Sequence, residues 1–443
     1  MRFIRESINS STLPPTTYVQ FIQRPICSFV SHNMDVLQTR PAILSLIKTV
    51  SQEHGINNHV ITDVKTNQKG EGYLGEIFMV TVKDTTGDKK QLEMVIKAAF
   101  IDEKVREMAP IRLSFENEIY FYTSVHPIYE KLDQEKAVSP KVLYVPKCIK
   151  VSVKDQEEML ALENLRVSGF EIFDKKLVLD DEHVKLIFKT YGRYHGYSFA
   201  LRDQKPEEYA RITKGFYNIY DEFMKNDYFG NHLKDVNKLV QATLVPGEDD
   251  KVIQKYGKYT DDNVVKIFGD ITRQDFDYSA ILHGDCWSNN MMFKYDDTAN
   301  GRKPVDMRLL DFQLIKVGSP VCDLSYCLYS GASKKVFDNL NEYLQIYHDS
   351  LSSFVRELGS DPERLFPFSV LKEHWRKYAR WGMIMSFAIL KMKLINKEDL
   401  VDLTDGYDMD ELVDVFANVK FNEEDYNKRI RGLLWHMYEV EAL

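Results

Sequence analysis

The run His283-Gly284-Asp285-Cys286-Trp287-Ser288-Asn289-Asn290 sets a carboxylate and an amide five positions apart, and Leu309-Leu310-Asp311-Phe312 ends an apolar stretch in a second carboxylate. Phosphoryl transfer asks for these residue types. A carboxylate accepts the proton of the attacking hydroxyl, and an amide and a carboxylate hold Mg2+ against a triphosphate. The alternative is a loop of solvated polar residues. The flanking apolar runs Ala280-Ile281-Leu282 and Met291-Met292-Phe293 fit an exposed loop poorly.

Two further features could serve the same chemistry. Gly70-x-Gly72-x-x-Gly75 lies between two expected strands, where missing side chains would let backbone N–H groups approach phosphates, although a flexible hairpin explains three glycines equally well. In a dinucleotide-binding fold such a motif opens a helix; here it opens a strand, so that reading fails. Lys97 interrupts the apolar run Met94-Val95-Ile96-Lys97-Ala98-Ala99. It either snorkels to solvent or reaches phosphates beneath the glycine loop. Glu118 and Glu116 compete as its ion partner, and Glu118 is preferred because it neighbours the stripe Phe115, Ile119 and Tyr122.

The elements that must position these groups change character along the chain. Helical spacing at Ile43, Leu44, Ile47 and Val50 gives way to strands at residues 59–64, 77–82, 92–100, 142–145 and 159–162, with Gly70 to Gly75 as a turn. A helix follows Pro110. Beyond Gly169 the pattern is helical at residues 182–201, 207–224, 334–358 and 371–392, broken by short strands at 279–283 and 307–310. This predicts a sheet-rich lobe, residues 41–162, ahead of a helical lobe, residues 163–443.

Residues 1–40 hold Arg2, Arg5, Arg24 and Arg40 against Glu6 and Asp35, with many Ser and Thr. They read as a flexible extension in preference to a transit peptide, whose amphipathic helix is weak here. Length, 443 residues, allows two or three packed units at ~150 residues each. Hydrophobic content of 44% and charged content of 28% exclude a disordered or collagen-like chain. A net charge of -9 without a basic patch excludes general nucleic-acid binding. Five cysteines, no CxxC and no HExxH argue against a disulfide framework or a zinc site and for a reducing, cytoplasmic location. No apolar stretch reaches the ~20 residues of a membrane span.

His283-Gly284-Asp285-Cys286-Trp287-x-x-Asn290, Asp311-Phe312-Gln313 and Ser319-Pro320-Val321-Cys322-Asp323-Leu324 together resemble the choline-kinase-like branch of the protein-kinase-like fold, most closely the ecdysteroid-kinase-like family. The likeness covers most of the chain after Pro41. It implies an α+β, two-lobed fold with ATP and Mg2+ as cofactors. By the resemblance Asp285 is the catalytic base, Asn290 and Asp311 are metal ligands, and Lys97 is a phosphate clamp paired with Glu118. Gly70, Gly72 and Gly75 form the loop over the phosphates. The hinge Leu160-Ala161-Leu162-Glu163-Asn164-Leu165 binds adenine through Glu163 and Leu165, with Asn164 where the family usually has Asp. Asp323 accepts hydrogen bonds from the catalytic loop.

Departures from protein kinases bear on the acceptor. Gly284 stands where a phosphate-reading Arg is expected, Gln313 replaces the glycine of the DFG motif, and twelve residues from Asp311 to Asp323 are too few for a peptide-docking segment. A small-molecule hydroxyl acceptor is therefore expected: a steroid or related lipophilic metabolite. The rivals are a choline- or aminoglycoside-type kinase, which would need clustered carboxylates in the acceptor pocket, and a non-catalytic pseudokinase, against which Lys97, Asp285, Asn290 and Asp311 stand together. The expected state is a monomer. His195, among Ile187, Phe188, Tyr191 and Tyr194, reads as a core histidine bonded to a backbone group, and Cys286 lacks the paired base of a nucleophile.

Overall fold

Strand alternation builds the first lobe of the computed structural model, which describes residues 37–66, 74–86, 90–139, 144–225, 227–273, 278–298, 301–400 and 406–443. Strands β1 (His59–Thr66), β2 (Gly75–Asp84), β3 (Gln91–Ala99), β4 (Cys148–Lys154) and β5 (Glu157–Glu163) form one antiparallel sheet in the order β1-β2-β3-β5-β4. Phe78, Val80 and Val82 of β2 and Met94, Ile96 and Ala98 of β3 share a core with Ile43, Leu46, Ile47 and Val50 of helix α1 (Pro41–Glu53). Each such buried side chain is worth roughly 1.5–3 kcal/mol. Neighbouring residues of a strand alternate faces, so burying Ile96 and Ala98 under α1 turns Lys97 to the opposite face.

On that second face lies helix α2 (Ile111–Tyr120), with Phe115, Glu118 and Ile119 buried. A π-helical turn, Phe121–Val125, joins it to α3 (His126–Lys136). Two local expectations are corrected here. Gly75 pairs with Ala99 inside β2 and is not part of the turn, while Gly70 and Gly72 lie outside the described residues, as does the N-terminal segment up to Val36. The strand expected at residues 142–145 is not seen at Tyr144 and Val145, and residues 142–143 are outside the described set; β4 supplies the edge strand instead.

The second lobe opens with the short strand β6 (Glu171–Ile172) and helix α4 (Asp181–Gln204). The helix expected over residues 207–224 is interrupted: α5 (Pro206–Thr213) and α6 (Ile219–Phe223) flank a non-helical stretch at 214–218. Strand β7 (Ala280–Leu282) leads into the acidic run, and β8 (Met291–Thr298) and β9 (Gly301–Leu309) leave it as a hairpin. Strand β10 (Lys316–Gly318) returns to pair with β7. Helices α7 (Pro320–Gly331), α8 (Leu340–Glu357) and α9 (Phe368–Lys393) complete the framework, with α8 starting after a break that the continuous pattern at 334–358 did not show. The result is the α+β, two-lobed protein-kinase-like arrangement.

Among the described residues no helix is long and apolar enough to cross a membrane. Cys148, Cys286, Cys322 and Cys327 are free thiols.

Candidate active site

Hairpin register sets the spacing of the acidic groups. Met291 pairs with Leu309, and Leu310 donates its N–H to the Asn290 carbonyl at 2.9 Å, so Asn290 and Asp311 emerge side by side from β8 and β9. The β7–β10 pairing, Leu282 opposite Lys316, brackets the same run from its other end. Between them His283 is a fixed strut. Its Nε2 lies 2.8 Å from the Leu310 carbonyl, which can only accept, so Nε2 carries the proton. The lone pair on Nδ1 then accepts the Asp285 N–H at 3.2 Å. Burial holds the His283 pKa below its ordinary value, which keeps this neutral tautomer in place.

Asp323 secures the loop from beneath. Its carboxylate accepts the His283 N–H at 2.8 Å and the Gly284 N–H at 3.0 Å, as the resemblance implied. Burial works against this carboxylate, yet the hydrogen bond from His195, with His283 and Cys286 beside it, keeps its pKa lowered. The expectation for His195 is corrected in its partners: it is fully buried, but Nε2 donates to Asp323 Oδ2 at 3.1 Å and Nδ1 accepts from the Tyr347 hydroxyl at 3.0 Å, both side chains. Gly284 sits at φ +87°, and a Cβ there would stand 1.9 Å from the Leu314 carbonyl oxygen. No side chain fits, so the missing arginine is a requirement of this backbone.

Asp285 projects from the loop into a ring of donors. Asn290 Nδ2 donates to its Oδ2 at 2.7 Å and to its carbonyl at 3.1 Å, and the Tyr326 hydroxyl of α7 donates to Oδ1 at 3.0 Å. Burial, then the negative charge of Asp311, raises the Asp285 pKa to about 7, against the opposing pull of Tyr326 and Asn290. Such a carboxylate is poised to exchange a proton near neutrality.

From the first lobe Lys97 Nζ lies 2.6 Å from Glu118 Oε2 and 2.8 Å from Asp311 Oδ1. The two candidates for its partner are thereby separated, because Glu116 is engaged by Arg112 Nε at 2.8 Å. Burial disfavours the Lys97 ammonium, but Asp311 and Glu118 more than offset this and its pKa is raised; burial pushes the Glu118 carboxyl upward in turn. With its amide oriented to suit both neighbours, Gln313 donates to Asp311 Oδ1 at 3.2 Å and accepts from Lys97 at 3.3 Å. Asp311 itself adopts φ +67°, and Phe312 behind it stacks flat on Phe121, 3.6 Å between centroids, at the start of the π-helical turn.

Oxygen atoms are what these contacts leave over. Both N–H groups of Asn290 go to Asp285, so its amide carbonyl is the end left to a cation, and Lys97 and Gln313 both approach Oδ1 of Asp311. One amide and one carboxylate oxygen are hard donors that fit Mg2+. The other grouping of metal-capable side chains among the described residues, Asp338, His436 and Glu439, already has Lys334 bridging its two carboxylates.

At the end of β5 Glu163 donates its N–H to the Lys147 carbonyl at 2.9 Å, and Asn164 accepts the Arg166 N–H at 3.1 Å, so Asn makes the cap itself. Leu165 joins Phe170, Met292 and Leu310 in a small apolar cluster separate from the main core. Sequence reasoning missed Tyr326, Gln313 and Asn117 as parts of this site. Tyr326 sits fifteen residues beyond Asp311 on a helix whose every residue is buried, where nothing local distinguishes it.

A family model described as ecdysteroid kinase-like family matches residues 69–360. No curated protein matches. Among solved structures, the GDP complex of wild-type aminoglycoside 2'-phosphotransferase-IIIa is 13% identical with a TM-score of 0.39, covering 80% of this chain and 98% of that one. The GDP complex of a point mutant of that phosphotransferase is 12% identical with a TM-score of 0.38, covering 90% and 97%.

Proposed function

The chain belongs to the ecdysteroid kinase-like family, and on that premise we propose that it transfers the γ-phosphoryl group of ATP, with Mg2+, to a hydroxyl of a steroid or related lipophilic alcohol. The observation that carries the reading is the convergence of Asp285, Asn290 and Asp311 with the Lys97–Glu118 pair, Lys97 lying 2.8 Å from Asp311. Residues 41–162 would supply the clamp and residues 163–443 the base and metal ligands. Glu163 and Leu165 backbone groups would take the adenine edge, over the apolar floor of Leu165, Met292 and Leu310. Lys97 would hold the phosphates. Asn290 and Asp311 would hold Mg2+, which supplies charge neutralisation at the triphosphate. Asp285 would orient the acceptor hydroxyl and take its proton as the oxygen attacks in line.

An aromatic cluster backs the base. Tyr326 packs edge-on to Trp381, whose ring also meets Tyr220 and Phe268. Lys316 Nζ, buried, lies 4.2 Å from the Trp381 centroid and 4.8 Å from that of Tyr220. These rings and the lysine are packed in the core, and burial holds the Lys316 pKa below its ordinary value, so the acceptor class rests on the family membership. The test is incubation of the purified protein with γ-labelled ATP and Mg2+ in parallel with polyhydroxylated steroids, choline, an aminoglycoside and fractionated lipid and polar extracts. Label on the steroid alone is expected; label on choline or the aminoglycoside would replace the acceptor class, and no label transfer with any extract fraction would remove the kinase reading.

A further inference from the structure

We propose that Asn117 is a positioning residue that straps helix α2, and with it the Lys97–Glu118 pair, to residues 214–218 and through them to the catalytic loop. The proposal rests on the reading of Lys97 as the phosphate clamp. Asn117 is completely buried next to Glu118 in the chain. Its Oδ1 accepts the Tyr217 N–H at 2.9 Å, and its Nδ2 donates to the Tyr217 carbonyl at 2.9 Å and to the Gln313 carbonyl at 3.0 Å. One amide thus reads both backbone groups of a residue 100 positions away and ties the segment after Asp311 to the same helix.

A second contact reinforces it. The Tyr120 ring of α2 occupies the place where a Cβ on Gly215 would stand, 2.2 Å from Cζ, and meets Phe216 edge-on at 5.7 Å. The strap then runs directly into α6. Asn218 donates to Asp221 at 2.9 Å, and the Tyr220 hydroxyl donates to the Gly284 carbonyl at 3.0 Å, one residue before the base. Six residues therefore connect the helix carrying Glu118 with the loop carrying Asp285. The break between α5 and α6 acquires a reason: a continuous helix would spend the Tyr217 N–H and carbonyl on its own ladder, and the break presents both to Asn117. In a fold where the lysine–glutamate pair must be in place for phosphoryl transfer, this strap holds the pair closed with neutral hydrogen bonds, in a chain whose Gly284 excludes a phosphate-reading arginine.

The full-length protein tests this by calorimetric titration with Mg·ATP and by hydrogen exchange. Asn117→Ala is expected to weaken Mg·ATP binding about tenfold or more and to speed exchange in residues 111–120 and 215–220 together. Lys97→Met should weaken Mg·ATP binding without loosening residues 215–220. Faster exchange confined to 215–220, or unchanged affinity in a folded Asn117→Ala protein, overturns the proposal. Should that variant not fold, Gly215→Ala pushes the strap off Tyr120 without touching Asn117, and wild-type affinity and exchange in it overturn the proposal equally. If the wild-type protein itself does not bind Mg·ATP, the nucleotide reading fails, while the paired exchange changes still decide whether the strap exists.

Discussion

The Tyr326 hydroxyl donates to Asp285 Oδ1 at 3.0 Å, so the group proposed as base is held by a helix 41 residues further along the chain. Burial raises the Asp285 pKa, and that bond opposes it. Removing it by Tyr326→Phe therefore raises the pKa and shrinks the ionised fraction at neutral pH. Turnover near pH 7 should fall several-fold, and the ratio of variant to wild-type rate should climb as pH rises. A ratio flat from pH 6 to 9 would separate Tyr326 from the ionisation of Asp285.

Asp285→Asn keeps the shape of the side chain and removes the base. General-base contributions of ~10²–10⁴-fold predict a matching loss of turnover, roughly 2.7–5.4 kcal/mol of barrier. Nucleotide affinity should change little, since the Lys97 contacts do not include this carboxylate. Melting temperature, ATP affinity and turnover measured on one preparation check it; near-normal turnover in a folded variant excludes Asp285 as the base.

Nucleotide binding should depend on divalent metal, and Asp311→Ala should abolish that dependence. Titrations of the wild type and the variant with ATP, each with and without Mg2+, give four affinities. Equal values for the wild type in both conditions would falsify the assignment of Asn290 and Asp311 as ligands.

Gly284→Ala forces a Cβ into a left-handed residue 1.9 Å from the Leu314 carbonyl oxygen. The φ alone costs about 1–3 kcal/mol, and the collision adds to it. A clear fall in melting temperature is expected. Activity should be indifferent to phosphatase treatment, because no arginine at this position can read a phosphate; a large loss of turnover after dephosphorylation with folding intact contradicts this.

Much of the site was legible because its signals are local. Asp285 and Asn290 share one continuous run, and Asp311 follows an apolar strand, so spacing alone brought them to notice. Strand alternation likewise assigns Lys97 to the face opposite Ile96. β4 was missed although Ile149-Lys150-Val151-Ser152-Val153-Lys154 alternates apolar and polar residues; its burial does not follow that alternation, because Cys148 to Ser152 are all half-buried and Val153 is exposed. Continuous helical periodicity likewise ran through residues 207–224, because apolar spacing does not record a backbone hydrogen bond taken by another element.

What the chain's own order determined was therefore which residues could do phosphoryl-transfer chemistry and which elements carry them, since periodicity and turn chemistry act between near neighbours. The tertiary structure decided how those groups are held. Glu118 faces Lys97 while Glu116 turns to Arg112, a choice made by the rotation of α2 on the sheet. Tyr326, Asn117 and Tyr217 meet their partners across 41 to 196 residues, and such contacts follow from packing distant segments together; no window of sequence contains both halves of them.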